Sequence, residues 1–126
     1  MPLVTITVQK PKPAHFTSAV LDCVHDSLVK VGVPAADKFQ RVLQLEPEAF
    51  RFDPQYPDVE GSRDGDFVLI EVLWSVGRSV KVKKQFLAAL MQGLAGKGFN
   101  PENVMVVFKE TNWENWSFAG GRQIHT

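Results

Sequence analysis

Only one of the 126 residues is a cysteine. Cys23 cannot close an internal disulfide, so the chain is expected in a reducing compartment. Surplus charge is missing as well, with 14 Lys and Arg against 14 Asp and Glu. Nucleic acids and anionic membrane surfaces are bound through excess positive charge, so neither is an expected partner. No run of about 18 apolar residues occurs, and the N-terminus has no apolar signal core. The expectation is therefore a cytoplasmic protein that does not span a membrane. His15, His25 and His125 are too few and too scattered for a metal cluster or a Ser-His-Asp arrangement, and no phosphate-binding loop is present. Neither a metal nor another cofactor is expected.

The composition that is present, 44% hydrophobic residues, is that of one globular domain spanning 1–126. Its opening stretch, Met1-Pro2-Leu3-Val4-Thr5-Ile6-Thr7-Val8-Gln9, reads as a strand from residue 3. Val4, Ile6 and Val8 share one face; Leu3, Thr5 and Thr7 share the other. The residue ahead of the strand matters most. Initiator methionine is commonly trimmed before a small residue, and trimming would leave Pro2 as a terminal secondary amine. An α-amine titrates near ~7.7–8.0, and burial lowers that by disfavouring the cation. Such a group is a usable general base at neutral pH. Many chains nevertheless begin Met-Pro without using it, and with Met1 in place the Pro2 nitrogen is an amide and no base.

Farther along, Lys10-Pro11-Lys12-Pro13 breaks the strand. Phe16, Val20, Cys23, Val24, Leu28 and Val31 then recur at helical spacing until Gly32 and Pro34 end the pattern. Cys23 lies on this apolar stripe as a core residue with no basic neighbour, and His25 falls off it toward solvent. Phe39–Leu45 alternates as a second strand with Asp37 at its mouth. A proline-rich loop follows, with an extended piece at Phe50–Phe52. Phe67–Trp74 is a third strand, apolar at nearly every position. Gly77 turns the chain, Ser79 caps a second helix, and Val82, Phe86, Leu87, Leu90 and Leu94 form its buried face. Lys81, Lys83 and Lys84 read as a solvated face. Pro101 opens a single turn, and Val104–Phe108 is a fourth strand.

The two halves, about 2–46 and 66–109, repeat one grammar of strand, turn, long helix and strand. A shift of about 64 residues lays Val4 on Val68 and Gln40 on Val104. Two right-handed βαβ units related by a pseudo-two-fold give an α+β fold: a four-stranded mixed sheet with both helices on one face. Strands apolar on both faces belong to a sheet covered twice, so further copies of the chain are expected on the bare face. With the first and third strands as the antiparallel central pair, Pro2, Asp37 and the turn carrying Arg78 meet at one rim. The tail, 110–126, carries Trp113, Trp116 and Phe118, which suits either an intersubunit hairpin or a pocket wall.

Four segments carry a resemblance: Pro2-Leu3-Val4; Pro34-Ala-Ala-Asp37-Lys-Phe-Gln40; Gly77-Arg78-Ser79 with Lys83 and Lys84; and Glu114-Asn115-Trp116-Ser117-Phe118. In that order they are similar to the tautomerase superfamily, in the branch that includes malonate semialdehyde decarboxylase. The resemblance implies a homotrimer in which Pro2 is the catalytic acid or base after methionine removal. It also implies that Arg78 binds a substrate carboxylate, Asp37 positions water or Pro2, and Trp116 lines the pocket; Phe118 is expected to exclude water beside it. In the decarboxylase a second arginine stands two positions before the first; here that position is Val76. The expected activity is accordingly enol–keto tautomerisation of a small 2-keto acid or related carboxylate. Decarboxylation or hydration of a small acid, or a non-catalytic binding trimer, are the alternatives.

Overall fold

Alternation of β-branched residues with period two produces β1 (Leu3–Gln9), whose Val4, Ile6 and Val8 are essentially fully buried. The structure is a computed structural model describing residues 1–125; Thr126, the end of the expected tail, lies outside the described residues. Pro13 stands just before α1 (Ala14–Lys30), which buries Val20, Cys23, Val24 and Leu28. Gly32, at a φ of +107° that side chains resist, turns the chain toward β2 (Phe39–Leu45). β3 runs Val68–Ser75, one residue later than the sequence pattern suggests. Ser79 caps α2 (Val80–Gly96) by accepting from Val82 N at 3.1 Å. β4 runs Val104–Thr111, so the first residues of the expected tail extend the sheet.

The strand order is β2-β1-β3-β4, with β1 parallel to β2, β3 parallel to β4 and the central pair antiparallel. Val4 pairs with Gln40 and Val68 with Val104, the correspondence a shift of about 64 residues requires. Ile6 pairs with Ile70, its own image under that shift. The pseudo-two-fold axis therefore passes between these two isoleucines, both fully buried. Phe86, Leu90 and Leu94 of α2 close the core with the α1 stripe. The helices cross where Cys23 Sγ would meet a Cβ at Gly93 at 3.5 Å, so glycine permits the approach.

Among the described residues, no helix covers the other face. Strand register sets rows across it: Phe39, Leu3, Leu73 and Lys109, then Arg41, Thr5, Glu71 and Val107, then Leu43, Thr7, Leu69 and Met105. Phe39, Leu43 and Met105 are exposed at 49%, 44% and 43%. Polar groups between them are paired, Arg41 Nε donating to Thr5 Oγ1 at 2.8 Å and Lys109 Nζ lying 2.6 Å from Glu71 Oε1.

Three local expectations are corrected. Phe50–Phe52 forms no strand; a 3₁₀ turn at Pro47–Ala49 precedes it, and Phe52 stacks on Phe67 at 4.4 Å. Lys83 is half-buried rather than freely solvated: it pairs with Glu110 and lies 5.9 Å from the Phe108 ring centre. Cys23 does have a basic neighbour, Lys97, but burial dominates and pushes the thiol pKa up. Lys97 comes from the end of the other helix, beyond the reach of any local pattern. Among the described residues, no helix is long and apolar enough to cross a membrane.

Candidate active site

Leu3 pairs with Phe39 at the start of β2 and with Leu73 near the end of β3. The start of the chain is therefore wedged between the loop ahead of β2 and the turn after β3. Pro2 is buried there. With Met1 in place the Pro2 nitrogen is an amide, and Met1 supplies the amine, 3.8 Å from Asp37 Oδ2. Burial holds that amine below the usual α-amine range; the Arg78 cation acts the same way, against the opposing pull of Asp37. Burial likewise pushes the Asp37 carboxyl up, opposed by the terminal amine, Arg78 and His25. Asp37 Oδ1 is buried without a hydrogen-bond partner among the described residues.

Asp37 rides on a short turn, its N–H donating to Pro34 O at 3.0 Å. His25 fastens this turn to α1, with Nε2 2.9 Å from Ala35 O, and Gln40 Nε2 donates to Leu21 O at 2.9 Å. The sequence pattern assigned His25 to solvent. Its one visible signal is its place a turn after Leu21, on the flank of the apolar stripe.

Arg78 follows Gly77, whose φ of +118° allows the sharp exit from β3. Its Nη1 donates to Ser75 O at 2.9 Å, and its guanidinium carbon lies 4.9 Å from the Trp74 ring centre. Trp74 in turn stacks on Phe108, centroids 5.1 Å apart and planes 9° from parallel. Val76, where a second arginine would stand, donates its backbone N–H to Thr111 O at 3.0 Å.

That pairing starts the tail beside the Arg78 turn. Farther on, Trp116 stacks on Phe118 at 5.7 Å, and His125 meets the rings of both Phe118 and Trp113. The structure thus brings the chain start, Asp37 and Arg78 together and gathers Trp116 and Phe118 into an aromatic cluster with His125. Trp116 Nε1 is buried with no partner among the described residues. After β4 the described tail holds a 3₁₀ turn, Trp113–Asn115, and bends rather than a strand. Among the described residues no three His, Cys, Asp or Glu side chains converge as metal ligands would.

A cavity of about 440 Å³ lies at the opposite end of the sheet, lined in part by His15, Phe16, Asp66 and Phe99. The pseudo-two-fold relates it to the rim just described. There Asp66 occupies the position of Pro2, Ala14 that of Arg78 and Pro101 that of Asp37. The second half repeats the architecture but has no chain terminus at Asp66, no guanidinium at Ala14 and no carboxyl at Pro101.

Residues 37–119 match a family model described as Tautomerase enzyme. Over 124 residues the chain is 27% identical to Probable tautomerase YusQ of Bacillus subtilis (strain 168), covering 97% of this chain and 96% of that one. The structure of FG41 malonate semialdehyde decarboxylase inhibited by 3-bromopropiolate superposes with a TM-score of 0.87 at 28% identity, over 96% of this chain and 92% of that one. Malonate semialdehyde decarboxylase in its wild-type, mutant and inactivated forms gives 0.86 at 28%, over 96% and 93%. A fused 4-OT symmetric trimer gives 0.70 at 20% identity, over 98% and 97%, a likeness of fold alone.

Proposed function

Because the chain belongs to the tautomerase family and is an enzyme of that kind, we propose that it moves a proton between oxygen and carbon of a small 2-keto acid or related carboxylate. Pro2, freed by removal of Met1, is the acid–base group. The observation that carries this reading is the convergence of a buried chain start with Asp37 and Arg78 at one rim. Trimming Met1 moves the terminal nitrogen inward to a buried residue. Desolvation there favours the neutral amine, a base ready at neutral pH. Neutral Pro2 takes the proton of the enol hydroxyl and returns it to the adjacent carbon, giving the keto acid. Arg78, always charged, holds the carboxylate and favours negative charge developing on the neighbouring oxygen. Asp37 orients the resulting prolinium, and Trp116 and Phe118 exclude water. No cofactor is needed for this proton transfer.

A second reading is decarboxylation or hydration of a small acid, favoured by the superposition on malonate semialdehyde decarboxylase. In that chemistry Pro2 acts as a cation and Asp37 activates water. Val76 leaves one arginine rather than two for the carboxylate, which supports simple proton transfer. A homotrimer burying the helix-free face belongs to either reading. Its support is the exposure of Phe39, Leu43 and Met105 around already paired polar groups.

The deciding experiment is kcat/KM for an enol-acid substrate across pH. A neutral base loses activity as pH falls through the Pro2 pKa; a cationic Pro2 loses it as pH rises. A rising limb that vanishes in a Pro2 variant supports tautomerisation, and a falling one favours the second reading.

A further inference from the structure

Arg78 hangs from an exposed turn, yet a carboxylate clamp must hold its fork in one orientation before substrate arrives. Among the described residues the guanidinium is held by the last residues of β3, through the Ser75 carbonyl and the Trp74 indole face. Trp74 is 0% exposed, and Arg78 lies over its ring. The indole N–H has no partner among the described residues, so aromatic packing rather than a hydrogen bond sets the ring plane. That packing is nearly parallel against Phe108 and tilted against Phe86, at 6.3 Å. The sheet supplies the first neighbour and the helix that starts after Arg78 supplies the second.

We propose that Trp74 is a positioning residue for carboxylate recognition: its indole face, held by Phe108 and Phe86, aims the Arg78 guanidinium at the substrate carboxylate. This rests on the reading of Arg78 given above. The aromatic face attracts the cation while leaving the in-plane N–H donors open, so a contact to one nitrogen and one ring face still presents a fork edge. A guanidinium stacked on a buried ring also surrenders less side-chain freedom on binding than one in solvent.

The test is a double-mutant cycle of Trp74→Leu and Arg78→Ala. It is read with the enol form of an aryl-substituted 2-keto acid and with the methyl ester of that acid. Trp74→Leu should lower kcat/KM for the acid about tenfold, mainly through KM, with much less effect on the ester. In the Arg78→Ala background the same change should cost little more. Should Trp74→Leu fail to fold, Trp74→Phe keeps an aromatic ring in the core, and fluorinated tryptophan weakens the ring face with little change of shape. Either should give a smaller loss that again disappears without Arg78. An equal loss in both backgrounds, or on acid and ester alike, overturns the positioning role and leaves the proposed reaction standing. If Arg78→Ala itself spares the acid, the carboxylate reading fails and the positioning role fails with it.

Discussion

The amine of Met1 and Oδ2 of Asp37 stand 3.8 Å apart, joining the first residue of β1's approach to the loop ahead of β2. With Met1 present, the ion pair belongs to a residue whose neighbour, Pro2, is locked as an amide. Intact mass of protein from its native host should therefore lack one methionine. A variant that retains Met1 should lose turnover altogether while keeping its fold by circular dichroism.

Arg78→Ala should lower kcat/KM for a carboxylate substrate by about 2–4 kcal/mol, as for a lost charge-assisted contact. A substrate without that group should change little. Equal losses on both would remove Arg78 from carboxylate recognition.

Pro2→Ala keeps a terminal amine but alters its basicity, so activity should fall without vanishing. In the unaltered, trimmed protein the rising pH limb should lie below the ordinary α-amine range of ~7.7–8.0, because burial disfavours the cation. A limb at or above that range would mean that solvent or the Asp37 carboxylate outweighs burial at the amine.

Asp37 carries a stability signature of opposite sign to its role. Its carboxyl pKa is raised in the fold, so the native state binds the proton more tightly than the unfolded chain. This favours folding fully below the unfolded pKa, and the benefit is lost as pH rises through the folded value. Asp37→Asn should therefore raise Tm at neutral pH and show no advantage in strong acid, while lowering activity. Thermal melts at the two pH values, with kinetics beside them, decide this.

Sedimentation at micromolar concentration should give three times the chain mass. Leu43→Glu places a charge on β2, the edge strand of the helix-free face, and should drive the assembly toward monomer, since an unpaired buried charge is costly. A monomer in the unaltered protein would leave the exposed apolar rows without a cover.

Period-two and helical patterns in the sequence located both long helices and all four strands, because apolar spacing along the chain depends only on which face each residue must bury. The shift of Val4 onto Val68 even revealed the repeat, since each half solves the same local problem. Strand ends at Ser75 and Thr111 were not legible, because pairing between β3 and β4, not propensity, extends them. Pro2, Asp37 and Arg78 could be named from the sequence, and the strand order inferred from the repeat already set them at one rim; the structure adds the register and the 3.8 Å between the chain start and Asp37. Tertiary structure alone put His25 against the Asp37 turn, Lys97 beside Cys23 and Trp74 beneath Arg78. The first two contacts cross between elements. The third, though it joins residues only four apart, depends on a glycine turn that folds the arginine back over the strand it has just left.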